Sequence, residues 1–125
     1  MIPLIDYSVK FVFIVLLLRK CSAQTTNCSS CIPEQVTFTK SELNANFVGP
    51  TKNANGCLEM TAYCDPSTHG PKATTFMQFN IHMGGPENPK QGAISAKLIC
   101  ENGLWHFEKE GIKKEITEVN CLLVV

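Results

Sequence analysis

The stretch AISAKLICENGLWHFEK, Ala93 to Lys109, sets the dipeptide Asn102-Gly103 between two alternating runs. Asn-Gly is the pair that best fits a two-residue type I′ hairpin turn, because both central positions want positive φ. With those two residues as the loop, Glu101 faces Leu104, Cys100 faces Trp105, and Leu98 faces Phe107. On the other side of the ribbon, Ile99 meets His106 and Lys97 meets Glu108. One face is then Ile94, Ala96, Leu98, Cys100, Trp105 and Phe107, and the opposite face carries a Lys97–Glu108 ion pair. The register accounts for the residue types on both faces, so the segment predicts a β-hairpin with one side in a core.

The same pattern extends outward. CLEMTAYC, Cys57 to Cys64, alternates with Leu58, Met60, Ala62 and Cys64 on one face. TFMQFNIH, Thr75 to His82, places Met77, Phe79 and Ile81 on one face, and a final strand over 115–123 alternates Val119, Cys121 and Leu123. EQVTFT, Glu34 to Thr39, is a short β-branched segment. KSELNANFVGPTKNANG, Lys40 to Gly56, reads as a polar connection, as do DPSTHGPKA and GGPENPKQG. Thr39 to Glu42 has the spacing of a capping box, but no apolar helical stripe follows, so one helical turn is the most expected there. About six or seven short strands with Gly, Pro and Asn turns predict an all-β fold, a small disulfide-stabilised sandwich or barrel-like domain.

The chain of 125 residues allows one domain. Its amino terminus reads as an export signal. FVFIVLLL, Phe11 to Leu18, is too short to span a bilayer, and CSA offers small residues for cleavage before Gln24. Asp6 ahead of the run and Arg19-Lys20 behind it depart from that pattern and leave a retained signal anchor as the alternative. Cleavage divides the chain into a signal peptide, 1–23, and an extracellular domain, 24–125. It also removes Cys21 and leaves six cysteines, an even number suited to an oxidising compartment. The 102 residues that remain keep 8 lysines, no arginine and 10 acids, a net charge of −2. Nucleic-acid binding normally needs clustered positive charge, and only Lys113-Lys114 are adjacent, so that partner class is excluded. No membrane insertion is expected after cleavage.

Six cysteines allow 15 connectivities. Cys64 and Cys100 both lie on apolar faces, which makes Cys64–Cys100 the most economical core pair. Cys57 faces outward and needs a partner from the amino-terminal arm, Cys28 or Cys31, and Cys121 then takes the other. Loops of these sizes each stabilise by about 3–5 kcal/mol in the chain-entropy model. For a thin core in so short a chain, contributions of that size decide folding.

The pattern CSSC…NANGCLEMTAYC…LIC…WHF…EITEVNC resembles the nematode six-cysteine ("C-six") extracellular domain family, whose function is unknown. The resemblance runs from Cys28 to Cys121, and its most specific pieces are ANGCLEMTAYC, Ala54 to Cys64, and ITEVNC, Ile116 to Cys121. Some members of that family lack the first and third cysteines together. The resemblance therefore implies Cys28–Cys57 and leaves Cys31–Cys121. The loop Pro66 to Lys90 is longer than the family's usual spacing.

Catalytic readings find less support than structural ones. Cys28-Ser29-Ser30-Cys31 has redox spacing, but IPEQVTFT follows it, with no helix pattern to lower a thiol pKa. A zinc site would need two further ligands nearby, and His69, His82 and His106 are scattered. No GxSxG or HExxH occurs. Asp65 precedes a proline in a turn, where aspartate bonds its own backbone. Asn27-Cys28-Ser29 is a sequon, either glycosylated at Asn27 or blocked by an early Cys28 bond. Leu122 to Val125 is too short for a lipid-anchor signal and ends the last strand. The expectation is a secreted module without enzyme activity, cofactor or metal, acting by binding or structure on an unidentified extracellular protein or carbohydrate. The alternatives are a secreted enzyme or thiol oxidoreductase using Cys28 and Cys31, and a membrane-tethered module that keeps its amino-terminal segment.

Overall fold

The computed structural model describes residues 27–81, 83–86 and 90–124. The expected signal segment and His82 lie outside them. The chain forms β1 (Thr37–Phe38), β2 (Asn46–Lys52), β3 (Leu58–Cys64), β4 (Thr74–Phe79), β5 (Met83–Gly84), β6 (Lys90–Gln91), β7 (Ile94–Glu101), β8 (Leu104–Lys109), β9 (Ile112–Glu115) and β10 (Glu118–Val124). Three of these ten are two-residue pieces, so seven carry the architecture. They make two sheets. One runs β1–β10–β4–β5 with β6 also on β4, and the other runs β2–β3–β7–β8–β9. Among the described residues, every pairing is antiparallel except β1 with β10. The fold is all-β, as expected.

The inward rows meet between the sheets. Met60 and Ala62 of β3 and Ile94, Ala96 and Leu98 of β7 face Met77 and Phe79 of β4 and Val119 of β10, all buried. Trp105, 1% exposed, closes this layer, and its indole N–H donates to the Ile32 carbonyl at 2.8 Å, as a buried indole requires. The β7–β8 hairpin has the expected register, Ile99 with His106, Cys100 with Trp105 and Glu101 with Leu104. Asn102 and Gly103 take φ of 53° and 76°, as a type I′ turn demands.

Several expectations are corrected. Lys97 pairs with Glu59 on β3 at 3.8 Å rather than with Glu108, because the β7–β8 ladder ends at Ile99–His106 and β8 turns to pair with β9. Ile81 is exposed and at φ 68°, because β4 stops at Phe79 and Asn80 begins a turn. Over 39–42, where one helical turn is the most expected, none forms, in keeping with that limit. The expected polar connection contains β2, an edge strand whose register shifts around Gly49-Pro50. The expected last strand forms as β10 but starts three residues later, and Glu115 instead ends β9. β9 belongs to one sheet and β10 to the other, with Ile116 buried at the switch.

Asn80 holds that switch in place. Its side-chain oxygen accepts from the backbone N–H groups of Thr117 (2.8 Å) and Glu118 (3.1 Å), and its amide donates to the Glu115 carbonyl (2.8 Å). A polar residue at φ 49° thus satisfies the backbone where the chain leaves one ladder for the other.

Candidate functional site

All six described cysteines are bonded. Cys28 is joined to Cys57, Cys31 to Cys100, and Cys64 to Cys121. The CxxC is therefore one end each of two bridges that fasten the amino-terminal arm across the β7–β8 hairpin and the start of β3. Backbone bonds follow the same path. Gly103 N–H donates to Asn27 O at 2.7 Å and Leu58 N–H to Cys28 O at 2.8 Å.

Two expected pairs are corrected. Cys64 stands opposite Ile94 in the β3–β7 ladder. Cys100 lies six residues further along β7, about 20 Å away at the usual strand rise, far beyond disulfide reach. Cys64 instead bonds across the sandwich to Cys121 of β10, with Cα atoms 5.6 Å apart. Cys31 cannot then take Cys121. It bonds Cys100, because the arm lies over the Cys100–Trp105 pair, where Ile32 receives the indole hydrogen bond. Asn27 and Ser29 of the sequon are both exposed.

The Cys64–Cys121 bond braces one wall of a cleft of about 330 Å³ on the outer face of the β2–β3 edge. Tyr63, pointing opposite to Ala62 and Cys64, forms its floor. One wall is the segment into β2, where Leu43 and Ala45 are buried and the intervening Glu42, Asn44 and Asn46 line the opening. This wall is held by the Ala45 N–H to Thr39 O bond (3.0 Å) and by Asn44 Oδ1 accepting from Ser41 N–H (3.1 Å). The other wall follows Cys64. Pro66 is buried, and Asp65, Ser67, Thr68 and His69 present polar atoms. Asp65 Oδ1 accepts from Ser67 N–H at 3.0 Å, the turn bond expected of it. Both walls are thus anchored from behind by apolar side chains and show polar groups in front.

A second opening of about 300 Å³ lies where the sheets part between β5 and β9. Phe79 and Phe107 meet there at a ring separation of 5.1 Å, with Ile112, Lys109 and Lys114 at the rim. Gly85 passes so close to β4 that a Cβ there would lie 2.0 Å from Met77 O. His106, expected to be a half-exposed strand residue, is that, with Nδ1 3.1 Å from Leu104 O. Among the described residues, no group of three His, Cys, Asp or Glu side chains converges as metal ligands would, and no helix is long and apolar enough to cross a membrane.

The polar cleft escapes a reading of motifs because its parts come from three segments. One signal was present. Glu42-Leu43-Asn44-Ala45-Asn46 alternates polar and apolar inside the stretch read as a connection.

A nematode protein is similar. An uncharacterised protein of Caenorhabditis elegans is 38% identical over 95 residues, covering 73% of this chain and 36% of its own length. The chain thus spans about a third of that relative. No family model and no solved structure matches the chain.

Proposed function

We propose that the chain is a secreted, non-catalytic recognition module of the nematode six-cysteine type, with the polar cleft over Tyr63 as its ligand site. The observation that carries this reading is the construction of the cleft. The backbone that carries the outward side chains of Glu42, Asn44 and Asn46 is anchored by buried Leu43 and Ala45. The Asn44 side chain is held by Ser41 N–H, and the facing wall begins at a disulfide that ties the two sheets. Side chains fixed before binding lose little freedom when a ligand arrives, which is what a recognition site needs. Pairing of the six described cysteines fits an oxidising extracellular setting and leaves Cys28 and Cys31 without a thiol.

Amino-terminal sequencing of protein exported by a eukaryotic host tests the secretion. Gln24 at the front is expected, and a chain retained in membranes with residues 1–23 intact would favour the tethered module. Alkylation of the native protein tests the chemistry. No cysteine should react, whereas ready labelling of Cys28 or Cys31 would favour a thiol oxidoreductase.

A further inference from the structure

We propose that the polar cleft takes the uncharged end of a glycan, a pyranose ring held by its hydroxyl groups and packed on Tyr63; this rests on the cleft being the ligand site. The internal hydrogen bonds decide which atoms remain for a ligand. The Ser41 N–H can only donate, so Asn44 must turn its oxygen to it, leaving its NH₂ to donate outward. Asp65 spends Oδ1 on Ser67 N–H and keeps Oδ2 as an acceptor. Asn46 gives Nδ2 to Asn44 O (3.4 Å) and keeps its oxygen. Glu42 adds a second carboxylate, and Thr68 a hydroxyl of either sense.

Such a mixed set discriminates among ligand classes. An anion would meet Glu42 and Asp65, with no lysine among the residues that line the cleft and the His69 imidazole alone to offset them. A simple cation would be met by the carboxylates alone and would make no use of the Asn44 donors, which are exposed and would stay with water. A sugar hydroxyl both donates and accepts, so neighbouring hydroxyls meet donors and acceptors alike. The apolar C–H face of the ring suits the aromatic floor. A volume of about 330 Å³ is at the small end of ligand clefts and fits one or two rings.

The test is an amide ¹H–¹⁵N titration of the oxidised full chain with the methyl glycosides of glucose, galactose, mannose and N-acetylglucosamine, and separately with lysine methyl ester as a cationic probe. At least one glycoside should give saturable shifts confined to residues 42–46 and 63–69. Asn44→Asp, which keeps an oxygen for Ser41 N–H and removes the outward NH₂, should weaken that binding about tenfold while the rest of its spectrum stays unchanged; binding unaltered by this variant overturns the proposal. Shifts in these segments with the amine alone overturn the glycan assignment and leave the cleft as a ligand site. If neither probe class moves them, the glycan assignment and the recognition reading fail together. A glycoside that shifts Phe107 and Lys114 instead also overturns the assignment.

Discussion

Two openings of similar size differ in how their walls are made. The polar cleft, about 330 Å³, is walled by segments whose apolar residues are buried in the sandwich and whose flank is the Cys64–Cys121 bond. The seam between β5 and β9, about 300 Å³, is a place where a two-residue strand fails to cover the inner face of β8–β9. Its contents read as edge protection. Lys114 pairs with Phe107 across the ladder, which puts a charge on the inward face of the edge strand, a device that discourages pairing with another chain. On the opposite side of the molecule, Phe38 of β1 and Phe47 of β2 stack at 4.7 Å and close the equivalent gap. A hollow is thus weak evidence of a site, and anchored walls with free polar atoms are stronger.

The contrast can be broken by substitution. The largest effect is expected from Cys64→Ala with Cys121→Ala, which opens a loop of sequence separation 57. The chain-entropy model gives a loss of about 4 kcal/mol, read as a lowered denaturant midpoint. Leu43→Ala removes the buried anchor of the polar wall and should cost about 3 kcal/mol. At the seam, Ile112→Ala should stay within about 0.5 kcal/mol, since Ile112 is 60% exposed. Equal costs at the two positions would erase the distinction. Asn80→Ala leaves the Thr117 and Glu118 amides without their side-chain acceptor. Thr117 is exposed and Glu118 only half-buried, so water makes up part of the loss and the cost should be about 1 kcal/mol. Its thermal melt should fall between those of the other two.

The smallest effect concerns Lys113 and Glu101, 2.8 Å apart on the exposed face near the hairpin tip. The hydrogen bond from Lys113 holds the Glu101 carboxyl below its ordinary range, and the same bond raises Lys113. The Glu101 contribution is present above the unfolded carboxyl's pKa and is lost as pH falls through the lowered value. The Lys113 contribution is present below the unfolded lysine's pKa and disappears as pH rises through the raised one. Solvent and salt screen both groups, so Glu101→Gln should lower the melting temperature slightly at neutral pH and not at all in high salt. An undiminished effect in high salt would show that the pair is not solvent-screened.

What could be read beforehand follows from the physics of each segment. The β7–β8 hairpin was legible because Asn102-Gly103 sets the turn, and the turn sets the register of residues that alternate cleanly on both sides. β2 was not, since an edge strand interrupted by Gly49-Pro50 and exposed along most of its length carries no apolar row. The directions in which Cys64 and Cys100 point were right, yet facing does not report position along a ladder. The opposition of Cys64 to Ile94 decides their separation, and it follows from the alignment of β3 with β7, which no local signal specifies. The polar cleft has the same character. Its alternating wall is visible in Glu42 to Asn46, but the approach of that wall to Asp65 and His69 exists only after the strands pair.

The sulfur connectivity tests the account most directly, because the tie between the sheets and the anchored wall of the cleft both depend on it. Non-reducing digestion of the protein, with thiols blocked first and linked peptides identified by mass spectrometry, should yield Cys28–Cys57, Cys31–Cys100 and Cys64–Cys121 and no blocked cysteine among these six. Recovery of a Cys64–Cys100 or Cys31–Cys121 peptide, or of any of the six as a free thiol, would contradict it.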